Sequence, residues 1–401
     1  MQDHVNMGTN GSLTTERLLI ALLRAVLCGT QWDTQLTFEQ FKSVHRLADT
    51  HDLAHLVYVA LEQSGTLPPA ATPEEQAFLD EAAEQVISVQ YRYAKLDAEM
   101  EHISTVFERE GIDYMPLKGA VLRVMYPEPW MRTSCDIDIL VREPDLDRAV
   151  TALVAEGFET DGVRNHHDVL LKCDGVNLEL HHNLLERMPQ SDAVLCTVWD
   201  HTVNRGHYFV ETPAFFVYHH FAHMAHHVLC GGCGVRTVMD LWLLVHNSQC
   251  SASEVLDLCR KGGLDVFAEQ VCTLAEVWFG DGEPIDGTEE LARFILRGGV
   301  FGSETQRYAS SAARHGKRGM AKRVIFMPYE DLKHVYPQLD GKPHLTPYYQ
   351  CCRICTRLRQ GRGKGAVDRI RKVGKQTDEA VAQMQTFLTS LGLHRGTEGE
   401  A

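Results

Sequence analysis

Asp136-Ile137-Asp138-Ile139-Leu140-Val141 constrains this chain more than any other six residues. β-Branched apolar residues alternate here with two acids, the pattern of a β-strand whose successive side chains point to opposite faces. Asp136 and Asp138 then share one face, and Ile137, Ile139 and Val141 share the buried one. Two adjacent like charges raise each other's pKa unless a cation neutralises them. Hard cations such as Mg²⁺ take carboxylate oxygens and bridge to phosphates, so the pair is a candidate Mg²⁺ site. An exposed edge strand with two solvated acids satisfies the same pattern. The flanking sequence favours the metal.

Upstream, Ile112–Leu117 is expected to form a short strand that ends at Lys118-Gly119, with a helix opening over Ala120–Tyr126. A glycine lets backbone N–H groups approach an anion. A helix N-terminus offers unpaired donors to phosphate, and Lys118 adds a mobile positive charge. Downstream, Asp174-Gly175 is a hairpin-turn signal between the arms 168–173 and 176–181. On the second arm Asn177, Glu179 and His181 share one face, and Val176, Leu178 and Leu180 the other. Glu179 is thus a third carboxylate on a neighbouring strand. Three carboxylates can hold two divalent ions, the arrangement that stabilises both oxygens of an in-line phosphoryl displacement.

In this order, Leu117-Lys118-Gly119, Arg132, Asp136-Ile137-Asp138 and Leu178-Glu179-Leu180-His181 resemble the nucleotidyltransferase superfamily typified by DNA polymerase β. More narrowly, they resemble the bacterial group described as uncharacterised nucleotidyltransferases. The motif core covers residues 112–183, with weaker likeness around Tyr336-Pro337, Pro347-Tyr348 and Arg353. Lys118 stands where the superfamily has a second glycine or a serine, and Glu179 where aspartate is commoner. The resemblance implies Mg²⁺, one ion or two, and an NTP substrate. Its NMP would pass to a hydroxyl of an acceptor (small molecule, protein or RNA) with loss of pyrophosphate. Asp136, Asp138 and Glu179 are the candidate catalytic and metal-binding residues. Lys118, Gly119, Arg132, Ser134 and His181 are the candidate substrate-binding residues.

The expected fold is α+β: a small mixed-sheet core flanked by helical regions. Residues 1–110 form an N-terminal helical region with helices over 14–28, 38–63 (broken near His51) and 73–110. Residues 111–205 are the nucleotidyltransferase core, with a helix over 145–156 ended by Gly157. Residues 206–360 form a C-terminal helical domain, and 361–401 a glycine-rich linker and a last helix over 377–391. No apolar run approaches the roughly 20 residues of a membrane span. The apolar stretch 18–28 lacks the basic flank of a signal peptide. The 12 scattered cysteines point to reduced thiols and a cytoplasmic location.

The net charge is −15, yet residues 301–375 hold 17 Lys and Arg against 5 Asp and Glu. An acidic body argues against duplex DNA as a partner, while the basic segment, densest over 353–375, is either a solvated face or an RNA contact. His219, His223, His226 and His227 fall on one helix face, followed by Cys230 and Cys233. Zn²⁺ would suit such ligands, but no second pair sits at finger-like spacing, so a packed helix is the better expectation. The Cys-x-x-Cys follows a helix, unlike a thioredoxin motif. His166-His167-Asp168 offers a His-Asp dyad without partners for phosphohydrolase chemistry. Arg236 and Asp240, one turn apart, are expected to form a surface ion pair, with Met239, Leu241, Trp242, Leu244 and Val245 in the core.

Overall fold

A computed structural model describes residues 14–164, 168–247, 249–359 and 363–393. The first four helices are α1 (Thr15–Cys28), α2 (Phe38–Asp49), α3 (Ala54–Gln63) and α4 (Pro73–Glu110). Their starts are written in the sequence. Thr14, Thr37 and Thr72 each accept a hydrogen bond from the first turn, and Gln40 and Glu75 close capping boxes at α2 and α4.

The α+β reading holds. β1 (Tyr114–Pro116), β2 (Asp136–Val141), β3 (Glu159–Arg164), β4 (Asp168–Cys173), β5 (Val176–His181), β6 (Thr202–Arg205) and β7 (Tyr208–Glu211) form one mixed sheet in the order β3-β4-β5-β2-β1-β7-β6. β4 and β5 form the expected hairpin. Asp174 (φ 45°) and Gly175 (φ 77°) both take the left-handed conformation that a two-residue turn matched to strand twist requires. β5 then runs parallel to β2, with Asp136 opposite Asn177 and Asp138 opposite Glu179. The last strand, β7, lies beyond residue 205 and pairs in parallel with β1.

The bend after β1 differs from its expected form. The helix α5 is a single turn, Gly119–Leu122, and the chain continues as a 3₁₀ turn over Arg123–Met125. One turn carries little macrodipole, so attraction for anions at this bend comes from side chains. α6 (Leu146–Ala155) and α7 (Pro189–Leu195) follow within the sheet region. α8 (Pro213–Cys230), α9 (Val235–Asn247), α10 (Ala252–Gly262), α11 (Asp265–Phe279), α12 (Thr288–Gly298), α13 (Glu304–Ile325), α14 (Tyr329–Val335), α15 (Thr346–Arg359), α16 (Gly363–Gly374) and α17 (Asp378–Ser390) complete the chain. The linker expected from residue 361 is helix from Gly363 onward; Gly361 and Arg362 lie outside the described residues.

Two apolar cores position the site. One lies on the sheet face carrying Ile137, Ile139, Val141, Leu178 and Leu180, covered by Leu96, Ile103 and Phe107 of α4 and Leu153 of α6. The other joins helices from both ends of the chain, α1–α3 with α8, α9, α11 and α12, and reaches the opposite sheet face at Met115, Leu117 and Leu140. That second face is the one with the acids, so α8 and α9 are packed over it. Among the described residues no helix is long and apolar enough to cross a membrane.

Candidate active site

The parallel register of β2 and β5 sets the centre of the site. Asp138, Glu179 and His181 present ligand atoms that all lie within 4.8 Å of one another. His181 donates from Nε2 to Asp138 Oδ1 at 2.8 Å, and the same nitrogen is 3.8 Å from Glu179 Oε2. Lys118 Nζ stands 3.5 Å from Asp138 Oδ1. Burial alone would raise the Asp138 carboxyl, but the Lys118 charge and the His181 hydrogen bond outweigh it and hold the group well below the usual carboxylate range.

Asp136 stands further along the same strand face, outside that tight group. Ser134 Oγ donates to its main-chain oxygen at 2.9 Å and approaches Oδ1 at 3.3 Å. Partial burial and the neighbouring Asp138 push the Asp136 carboxyl up despite Lys118 and Ser134. Of the two aspartates, Asp136 is therefore the one whose ionised form the protein leaves disfavoured, a condition that a bound cation would relieve.

The bend supplies the opposite charge. Lys118 occupies a positive-φ conformation (φ 42°, ψ −105°), sparsely populated for a residue with a Cβ. Its ammonium would be weakened by burial, yet Asp138, Glu186 and Glu179 raise its pKa, so it is a firm cation. Gly119 is needed for close approach: a Cβ there would meet Arg132 Nη1 at 2.7 Å and Ser134 Oγ at 3.2 Å. Arg132 itself is pinned. Its Nε and Nη2 donate to Asp240 Oδ1 and Oδ2 at 2.9 and 2.8 Å, and the Tyr126 hydroxyl donates to the same carboxylate at 2.7 Å.

Asp240 overturns the expected surface ion pair with Arg236. It lies on the buried face of α9 beside Met239 and Leu241, at 2% exposure, and an acid there needs an internal cation. Arg236 turns instead to Asp52 Oδ2 (3.2 Å) and to Thr133. Met239, Leu241 and Leu244 are core, whereas Val245 is 42% exposed.

The helix over the acids was the part of the site least visible beforehand. A cavity of about 220 Å³ is lined on one side by Lys118, Glu179 and His181 and on the other by Glu186 and the histidines of α8. Glu186 organises that wall: its carboxylate accepts from His223 Nδ1 at 2.7 Å, and its main-chain oxygen accepts from His226 Nδ1 at 2.7 Å. Burial, Lys118 and His227 hold His223 well below the ordinary imidazole value. Burial and His226 take His227 down to about 4. For His226, contact with Cys230 and Glu186 overcomes burial and lifts it to about 9. Of these three rings, His226 is therefore the imidazolium at neutral pH, and His223 and His227 are neutral. These histidines do pack, as expected of them, but they pack as a cavity wall. Their common helical face was the available signal; nothing local marked Glu186.

The His219–Cys233 stretch does not gather as a metal centre among the described residues. Cys233 is buried and Cys230 exposed, with Cys230 Sγ 3.4 Å from His226 Nε2. His166 and His167 lie outside the described residues. In the basic segment, Arg353 is buried and bonded to Gln350 and the Ile325 carbonyl, and Lys372 pairs with Glu304 and Asp368. Those two cations serve the fold.

Residues 39–280, more than half of the chain, match the model of a family described as uncharacterised nucleotidyltransferase. No curated protein and no solved structure matches the chain.

Proposed function

The chain belongs to the uncharacterised nucleotidyltransferase family, and we propose that it transfers an NMP from an NTP to an acceptor hydroxyl, with Mg²⁺ bound and pyrophosphate released. Membership supports nucleotidyl transfer in general. The observation that carries the finer reading is the Asp138–Glu179–His181 cluster, whose Glu179 and His181 line a cavity beside the cationic bend at Lys118-Gly119. Carboxylate oxygens suit a hard divalent cation, and burial together with the neighbouring Asp138 raises the Asp136 carboxyl, whose ionised form a bound cation would favour. Asp136, Asp138 and Glu179 would hold the metal, one ion or two. When bound, Mg²⁺ neutralises phosphate charge and favours in-line displacement at phosphorus.

The chain's own residues do the rest. Lys118, with Arg132 and Ser134 beside Gly119, neutralises and positions the polyphosphate. His181 fixes the orientation of the Asp138 carboxylate through its 2.8 Å hydrogen bond. Glu179, about one-third exposed toward the cavity, accepts the proton of the attacking hydroxyl or shares a second metal. The hydroxyl oxygen bonds to the α-phosphorus, and the bond from that phosphorus to the pyrophosphate oxygen breaks. The acceptor is a small molecule, a protein or an RNA, and the free thiols agree with a reducing cytoplasm.

The test is transfer of label from α-labelled NTPs into a cell extract with Mg²⁺, read by mass spectrometry and autoradiography. Wild type is expected to add a nucleotide mass, and Asp138→Ala to lose at least about 100-fold of that activity. Equal labelling by both proteins overturns the assignment.

A further inference from the structure

Of the twelve cysteines in the chain, one is set apart by its neighbours. Cys230 is the last residue of α8 and is exposed. Its Sγ lies 3.4 Å from Nε2 of His226, one turn earlier. The other nitrogen of that ring, Nδ1, donates to the Glu186 main-chain oxygen at 2.7 Å and stands 3.5 Å from the Glu186 carboxylate. Sulfur, imidazole and carboxylate thus stand in sequence, the order that activates a thiol nucleophile. α13 adds a cation. Its Ser310 hydroxyl donates to the Leu229 carbonyl, and Arg314, one turn further on, brings its guanidinium to Cys230. Arg314 makes no ion pair among the described residues, and its Nε is buried without a hydrogen-bond partner. An exposed sulfur between an imidazole and an uncommitted guanidinium is the electropositive setting of a reactive cysteine.

The last turn of a helix disfavours an anion, so activation of this thiol has to come from side chains. Packed surroundings alone would raise the Cys230 thiol, but the His226 hydrogen bond and charge, with Arg314, outweigh them and lower it. Burial drives Cys233, Cys259 and Cys272 the other way, up to about 12. We propose that Cys230 is a modification site for small disulfides that carry carboxylates, oxidised glutathione being the type, with His226 as its proton partner and Arg314 as the cation that receives a carboxylate. The Cys230 sulfur, its proton held by His226, attacks one sulfur of the disulfide. A bond forms between those two sulfurs, and the S–S bond of the small molecule breaks. Cys230 is oxidised; the departing sulfur is reduced and leaves as a thiolate, which takes the proton from His226 Nε2. Cys233 does not resolve the product. Gly231 (φ 121°) and Gly232 (φ 135°) form a turn so close to α13 that a Cβ would meet the Cα of Arg307 at 2.6 Å and that of Gly302 at 2.9 Å, and Cys233 beyond it is 1% exposed. The adduct therefore persists until an external thiol removes it. The inference is independent of nucleotidyl transfer.

The probes are oxidised glutathione and the cationic disulfide cystamine, each added to the full chain at pH 6. Initial rates at each cysteine are read by peptide mass spectrometry. At that pH an ordinary thiol, of pKa about 8.5, is less than about 1% ionised. A stabilised thiolate gains through its larger ionised fraction and returns part of the gain as lower nucleophilicity. Cys230 is therefore expected to form the glutathione adduct at least about 5-fold faster than the exposed Cys196 and Cys355. With cystamine that advantage should shrink, because Arg314 repels a cation. His226→Gln should slow Cys230 by about 5-fold with both reagents, and Arg314→Gln should remove its preference for glutathione. The cystamine comparison and the Arg314 variant decide the matter even where His226→Gln fails to fold. Glutathione rates that are equal at Cys230 and Cys196, an advantage as large with cystamine, or a Cys230–Cys233 disulfide as the product overturns the site.

Discussion

Replacing Asp240 by Asn tests the network that fixes Arg132 against the bend. Asp240 is 2% exposed and holds Arg132 through two hydrogen bonds of 2.9 and 2.8 Å; the arginine side chain is 10% exposed. Removing one partner of a buried pair leaves the other charge uncompensated, which costs about 3–5 kcal/mol. Asn keeps one acceptor oxygen, so the low end, about 3 kcal/mol, is expected. Urea unfolding followed by circular dichroism at pH 7 measures it. The Asp240 carboxyl is depressed in the fold, because the Arg132 charge and hydrogen bonds overcome the effect of burial. Its stabilising contribution is therefore complete above the unfolded pKa of about 3.9 and is lost as the pH falls through the folded value. At pH 7 the comparison sees all of it. Arg132→Met combined with Asp240→Leu should recover much of the loss, giving a coupling of at least about 1 kcal/mol in the double-mutant cycle. An Asn variant within about 0.5 kcal/mol of wild type, the range of ordinary surface substitutions, refutes the claim that this pair is a buried clamp.

Two further outcomes follow from the bend. Lys118→Met removes a cation that lowers both Asp138 and Asp136, so both carboxyl pKa values rise and the acid limb of the kcat/KM profile, set by the higher of them at Asp136, moves to higher pH; an unmoved limb contradicts that coupling. The same variant should lose about 100-fold in kcat/KM at neutral pH through lost phosphate neutralisation. Gly119→Ala places a Cβ 2.7 Å from Arg132 Nη1, which Asp240 prevents from retreating, so steady-state kinetics should show an increase of about 10-fold or more in the KM for NTP with the fold intact by circular dichroism.

Much of this architecture is legible in the chain because it is local. The capping threonines, the Asp174-Gly175 turn and the alternation over 136–141 each specify their own few residues. The hairpin's alternation also brought Glu179 to the face it occupies. What escaped were contacts decided by packing across long separations. Asp240 is four residues from Arg236 but pairs with Arg132, 108 residues away, because α9 turns its apolar face, with Asp240 on it, into the core. An acid between Met239 and Leu241 was the hint that an internal cation would be required. The histidines of α8 showed their common face, yet only the fold put Glu186 beneath them and Lys118 opposite. Ala120–Tyr126 has helical composition, yet the helix stops after the single turn of α5 and becomes a 3₁₀ turn where Arg123 bends back to the Gly119 carbonyl.

The central claim is that the carboxylates of β2 and β5 form one divalent-cation site. Mn²⁺ stands in for Mg²⁺ and its free fraction is read directly by electron paramagnetic resonance. Titration of wild type, Asp138→Asn and Glu179→Gln, with and without NTP, should show saturable binding by wild type that NTP tightens, and at least about 10-fold weaker binding in both variants. Mn²⁺ affinities indistinguishable among the three proteins would contradict it.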